Sequence, residues 1–124
     1  MQKILIVDDV EVNRELLRGI LKEDYEIEMA ENGRQAIRKL CEYHDEISAV
    51  LLDLQMPDID GFKVIAEMKE QGFMDRIALL IISSEHAVEV EIQCFQLGAS
   101  DFIHKPFEAS IVKNRVRNTI ELFR

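Results

Sequence analysis

The sequence predicts an α/β fold, a single doubly wound sheet of five parallel strands with helices on both faces. Three observations carry that reading. Strand-like and helix-like patterns alternate five times along 124 residues. The strand-like runs are short and largely apolar, as strands buried on both faces are. Four of them also stop abruptly at polar residues. Lys3-Ile4-Leu5-Ile6-Val7 runs into Asp8-Asp9, Ala49-Val50-Leu51-Leu52 into Asp53, Ala78-Leu79-Leu80-Ile81-Ile82 into Ser83-Ser84, and Phe102-Ile103-His104 into Lys105-Pro106.

The elements follow in order. Lys3–Val7 reads as the first strand. Glu11–Glu23 reads as a helix with Val12, Leu16, Leu17, Ile20 and Leu21 on one stripe. Tyr25–Ala30 alternates Ile27 and Met29 with polar residues, which suits an edge strand. Asn32-Gly33 is a turn signal, and Gln35–Tyr43 is a helix with Ala36, Ile37 and Leu40 inward. Ile47–Leu52 is apolar on both faces and therefore central. Pro57 to Gly61 is a loop, with Gly61 expected to supply a backbone conformation other residues dislike. Phe62–Glu70 is a helix with Phe62, Ile65, Ala66 and the stem of Lys69 facing in, closed by Gln71-Gly72. Ile77–Ile82 is a second central strand, and Ala87–Leu97 a helix stopped by Gly98. Asp101–His104 is a short fifth strand, with Phe102 and His104 on one face and Ile103 on the other. Ala109–Arg124 is the last helix, with Ile111 or Val112, Val116, Ile120 and Phe123 on its buried stripe. Five strands in so short a chain suit the flavodoxin-like order 2-1-3-4-5.

The bulk numbers narrow the function. One domain is expected from 124 residues, and a 48% hydrophobic content fills its core. No apolar run approaches membrane-spanning length and no signal-peptide pattern opens the chain, so a cytoplasmic protein with no membrane partner is expected. A formal net charge of −9 argues against direct nucleic-acid binding by this chain. Cys41 and Cys94 have no metal-ligand spacing and read as small apolar residues in a reducing compartment. His44, His86 and His104 are isolated, which gives a histidine metal site no support.

In open α/β sheets, sites form beyond the carboxyl ends of the strands, at the point where the strand order reverses. Asp8, Asp9, Asp53, Ser83 and Lys105 should therefore converge on one edge. Two ionised carboxylates about 4 Å apart repel by roughly 4 kcal/mol at an effective dielectric of 20. A hard divalent cation such as Mg²⁺ (or Mn²⁺) removes that cost and suits carboxylates and phosphate oxygens. Metal alone leaves Ser83 and Lys105 unexplained. An aspartate that attacks phosphorus becomes an acyl phosphate, whose new oxygens need a cation, an ammonium and a hydroxyl. Phosphoryl transfer depends on positioning and charge stabilisation, which these residues supply. Asp53, alone at a central strand end, is the best nucleophile, with Asp8 and Asp9 as metal holders.

Taken together, these motifs resemble the receiver domain of bacterial two-component response regulators. The matching elements are Asp8-Asp9, Asp53 in Leu51-Leu52-Asp53-Leu54-Gln55-Met56-Pro57-Asp58-Ile59-Asp60-Gly61, Ser83-Ser84, Gly98-Ala99-Ser100-Asp101-Phe102, and Lys105-Pro106-Phe107. They span the chain in order, so residues 1–124 read as one receiver domain, and the resemblance strengthens the case for the 2-1-3-4-5 order. It implies phosphorylation of Asp53 by a histidine kinase or phosphotransfer protein. It also implies Mg²⁺ held by Asp9 and Asp53, by Asp8 directly or through water, and by the backbone carbonyl of Gln55. Ser83 resembles the switch hydroxyl and Phe102 the switch aromatic. Lys105 resembles the phosphate-binding lysine, before an expected cis bond to Pro106. Gln55 and Glu85 resemble positions that tune the phosphoryl lifetime. The output expected is a change on the surface of the fourth helix, fifth strand and fifth helix, controlling an effector or a phosphorylation-dependent homodimer. Beyond its own phosphorylation and dephosphorylation, no enzyme activity is implied.

Blander readings stand beside these. Asp8 or Asp9 alone could cap a helix, Ser84 could cap the helix at Ala87, Lys105 alone would be a solvated lysine, and Phe102 could be plain core. Asp58 and Asp60 are read as serving the loop and the helix start. An aspartate-based phosphatase is the main alternative. Such enzymes usually carry a second aspartate two residues after the nucleophile, where this chain has Gln55. A flavin module on the same fold requires a hydroxyl- and glycine-rich phosphate loop after the first strand, and Asp8-Asp9-Val10-Glu11 would instead repel phosphate.

Overall fold

Parallel pairing of strands whose central members are buried on both faces demands a helix layer on each face, and a computed structural model of the chain has both. It describes residues 1–56, 61–84 and 87–123. The predicted roles of Pro57, Asp58, Asp60, Glu85 and His86 fall outside the described residues. The elements are β1 (Lys3–Val7), α1 (Glu11–Leu21), β2 (Glu26–Ala30), α2 (Gly33–Tyr43), β3 (Ile47–Asp53), α3 (Gly61–Glu70), β4 (Ala78–Ser83), α4 (Val88–Gln96), β5 (Asp101–His104) and α5 (Ala109–Leu122). A 3-10 turn at Phe73–Asp75 follows α3.

The strands are all parallel, in the order β2-β1-β3-β4-β5. Period-two alternation divides their side chains between two cores. Leu5, Val7, Val50, Leu52, Leu79, Ile81 and Phe102 face one layer with Ala36 and Leu40 of α2, Val64, Ile65 and Met68 of α3, and Cys94 of α4. Ile4, Ile6, Ala49, Leu51, Leu80, Ile82 and Ile103 face the other with Leu17 and Leu21 of α1 and Val112, Val116 and Ile120 of α5. The predicted edge position of β2 and central positions of β3 and β4 hold.

Several side chains sit elsewhere than their periodicity suggests. Val12 and Leu16 are 66% and 52% exposed. The buried stripe of α1 centres on Leu17 and Leu21, and Leu16 lies about 100° around the helix from Leu17. On α3, Val64, Ile65 and Met68 are buried, whereas Ala66 and Lys69 are exposed. Gly61 lies against the end of β3 and sets that phase. On α5 the choice falls to Val112, while Ile111 is exposed. The N-cap of α4 is Ala87, with no side-chain cap bond, so Ser84 is not the cap. Cys94 is buried and Cys41 exposed.

Two glycines have identifiable work. Gly98 holds φ +113°, a conformation open to glycine, and stops α4. Gly61 has no positive φ, which corrects the expectation of a special backbone conformation. Its reason is close approach, because a Cβ there would lie 2.7 Å from Leu54 Cα and 2.8 Å from Asp53 O.

The third glycine of interest, Gly19, sits on the exposed face of α1 with open space around it. Gly61→Ala is expected to destabilise the protein by about 1–3 kcal/mol through overpacking on backbone. Gly19→Ala is expected to stabilise it by about 0.5–1 kcal/mol. Urea denaturation of both variants checks this, and equal midpoints would contradict it.

Candidate functional site at the carboxyl edge of the sheet

Strand register lines the predicted residues up. Val7 pairs with Leu52, Asp53 with Ile82, and Ser83 with His104. The next residue out on each strand therefore puts Asp8, Asp53, Ser83 and Lys105 on one edge. Asp8, Asp9 and Asp53 each bring a carboxylate oxygen within 4.8 Å of the others. Asp8 and Asp53 are 0% and 4% exposed, while Asp9 is open to solvent.

The two buried carboxylates are held by the same local device. Asp8 Oδ1 accepts from the Val10 N–H at 2.9 Å, and Asp53 Oδ1 accepts from the Gln55 N–H at 3.0 Å. Each bond spans two residues and fixes the side chain by its own backbone. The second oxygens turn to the crevice, where Lys105 Nζ lies 3.5 Å from Asp8 Oδ2 and 3.4 Å from Asp53 Oδ2. The bland and sharp readings of Asp8 are thus divided between its two oxygens. One serves the turn into α1, and the other faces the cluster.

Lys105 reaches this point because its N–H donates to Ser83 O at 3.0 Å, extending the β4–β5 ladder by one residue. Its bond to Pro106 is cis. Ser83 is buried at the end of β4. Phe102 is 2% exposed, and its ring centroid lies 5.2 Å from that of Phe95 on α4. Gln55 is exposed two residues beyond Asp53.

The electrostatics are uncompensated. Three carboxylates face one ammonium, and Asp8 Oδ2 is buried without a hydrogen-bond partner among the described residues. Burial raises the pKa of Asp53 from 3.8 to about 6, and the Asp8 charge adds to the rise. The Gln55 N–H and Lys105 oppose it. A crowded set of hard oxygen donors with one buried, orphaned lone pair fits a hard divalent cation.

Sequence reasoning missed Arg14. Its guanidinium donates to Asp8 O at 2.8 Å and lies 3.9 Å from Glu31, tying the first strand end to α1 and to the loop after β2. A cation so near a helix N-terminus, where the dipole disfavours it, was the available signal.

A family model described as the response regulator receiver domain matches residues 4–117. Chemotaxis protein CheY of Bacillus subtilis is 34% identical over 120 residues, covering 95% of this chain and 97% of its own. Transcriptional regulatory protein ResD of the same organism is 41% identical over 116 residues, 93% of this chain and 46% of that protein. The crystal structure of chemotaxis protein CheY4 of Vibrio cholerae superposes with a TM-score of 0.87 at 25% identity, covering 96% of this chain and 98% of that one. Of four longer relatives this chain spans 7%, 26%, 52% and 26%. With its strand order, its acidic edge and a family match over most of its length, this chain belongs to the response regulator receiver domains of two-component systems.

Proposed function

We propose that residues 1–124 act as one phosphorylation-gated switch, with Asp53 as phosphoacceptor. The observation that carries this reading is Asp53 Oδ2, buried beside two more carboxylates and 3.4 Å from Lys105 Nζ. A carboxylate steered by the Gln55 N–H presents its other oxygen, beside Lys105 Nζ, to an incoming phosphorus. With a phosphohistidine donor, the new O–P bond forms as the N–P bond breaks, and the imidazole leaves with the electron pair. Lys105 then moves its positive charge from carboxylate to phosphoryl oxygen, and the Ser83 hydroxyl donates to another.

Asp8, Asp9 and Asp53, with the backbone carbonyl of Gln55, would hold the Mg²⁺ (or Mn²⁺). When bound, the ion neutralises the carboxylates and the transferring phosphoryl group. Its absence from solution should therefore silence the chemistry. Gln55 and Glu85 would tune the lifetime of the acyl phosphate.

Movement of Ser83 would open space for Phe102 and bias α4, β5 and α5 between two arrangements. Val88, Ile92 and Phe95 of α4 and Ile111 of α5 are exposed apolar side chains on those elements, which supports a surface for an effector or a second copy. The donor would be a histidine kinase or phosphotransfer protein, in the cytoplasm. No helix among the described residues is long and apolar enough to cross a membrane. The net charge of −9 argues against nucleic acid as a direct partner. Gln55 in place of a second aspartate counts against the phosphatase alternative.

Two outcomes are expected. Asp53→Asn should abolish labelling by acetyl phosphate in the presence of Mg²⁺, read by intact mass; stoichiometric labelling of that variant would overturn the assignment. Because a proton on Asp53 competes with the cation, Mg²⁺ affinity should be nearly constant above pH 7. It should fall about tenfold per pH unit well below the pKa of about 6. Calorimetric titration between pH 5 and 8 measures it, and a flat profile would contradict the site.

A further inference from the structure

His104 is unused by the chemistry above, yet it occupies the junction between that chemistry and α4. It pairs in register with Ser83 and immediately precedes Lys105. Its Nε2 lies 3.9 Å from Glu91 Oε1 on α4, with both side chains about one-third exposed. Its ring stacks on Phe102, centroids 6.2 Å apart, and Phe102 in turn meets Phe95 at 5.2 Å. Glu91 and Phe95 are four residues apart and so share a face of α4. That helix is thus joined to β5 at two points one turn apart, by a polar contact and an aromatic one. Val88 and Ile92, the exposed apolar residues of the same helix, ride on whatever position those two contacts set.

We propose that His104 is a positioning residue, resting on the switch reading, that couples the phosphoryl site to α4 through Glu91 and does so most firmly when its ring is protonated. The covalent path from Lys105 Nζ to the imidazole is a single residue step, and the next step to α4 is the Glu91 contact. A neutral imidazole gives Glu91 a dipole, whereas a protonated one gives it a full charge. Histidine is the side chain that makes this change between pH 5 and 8. The charged groups around it, among the described residues, are Glu91 on α4, Lys105 next in sequence, and the Asp101–Arg115 pair that joins β5 to α5 at 3.1 Å. Among the described residues, Glu91 is the charged group of α4 that meets β5 at His104. A partly exposed pair of this kind shifts a local equilibrium by about two- to fivefold.

The test uses the unphosphorylated chain. Residue-resolved hydrogen exchange gives protection factors for α4 at pH 5.5 and pH 8. In the wild type, α4 protection is expected to be about two- to fivefold higher at pH 5.5. Glu91→Gln and His104→Gln should both flatten that dependence, and the double variant should add nothing. His104→Lys, a fixed cation, should restore high protection at both values. Asp53 titrates in the same window, but its effect would survive Glu91→Gln, so an undiminished rise in that variant overturns the proposal, as does a flat wild type. Acetyl phosphate labelling of Glu91→Gln separates the two readings. Normal labelling beside a pH-insensitive wild-type α4 sinks the coupling alone, whereas a coupled α4 in a chain that cannot be labelled at Asp53 sinks the switch chemistry alone.

Discussion

Crowded negative charge at the end of a buried strand is the constraint that organises this protein. Asp8 and Asp53 are nearly inaccessible and Asp9 stands beside them. Their carboxylate oxygens lie within 4.8 Å of one another and repel, and among the described residues the Lys105 ammonium, 3.4–3.5 Å from two of them, cannot cancel three anions. Burial is the main cause of the raised pKa of Asp53, and the neighbouring Asp8 charge adds to it. The same imbalance that destabilises the bare cluster makes it receptive to a divalent cation, and in the proposed function that cation would be what lets a phosphoryl group approach.

The surrounding structure serves to keep that cluster in place. The Val10 and Gln55 N–H groups clamp one oxygen of each buried aspartate, leaving the other to the crevice. Gly61 allows α3 to begin against the backbone of Asp53 and Leu54, where any side chain would collide. The β4–β5 ladder, extended by the Lys105 N–H to Ser83 O, delivers the lysine to within 3.5 Å of both buried carboxylates. Each device acts at a strand end, so in the proposed switch a change of charge at Asp53 would be felt by the neighbouring strand ends together. In the proposed switch the fifth strand would pass it toward α4, whose apolar side chains Val88, Ile92 and Phe95 stand in solvent.

Much of this was legible before any coordinates. Apolar runs ending in polar residues located four strands to within about a residue, because burial on both faces leaves no room for polar interruptions. They also nominated the residues that share the acidic edge. Helix faces were read less well. On α1, Val12 and Leu16 were read with Leu17, Ile20 and Leu21 as one buried stripe, and apolarity alone did not reveal that the core takes only Leu17, Leu21 and part of Ile20. On α3 the stripe was off by one residue, since its phase is set by Gly61 meeting the strand end, a contact between segments that periodicity does not contain. Arg14 was missed for a related reason, as its partner is a backbone carbonyl on another element.

By itself the sequence determined the fold class, the strand order and the set of residues at the carboxyl edge. The fold class and the edge residues follow from hydrophobic periodicity and chain connectivity, which are local or nearly so, while the strand order rested in part on the resemblance to receiver domains. Tertiary structure decided which oxygen of each aspartate faces the cluster, how deeply Asp53 is buried and hence how its proton is held. It also decided that His104 meets Glu91. Those are matters of distance and dielectric between remote segments, and they take a value only once the strands stand side by side.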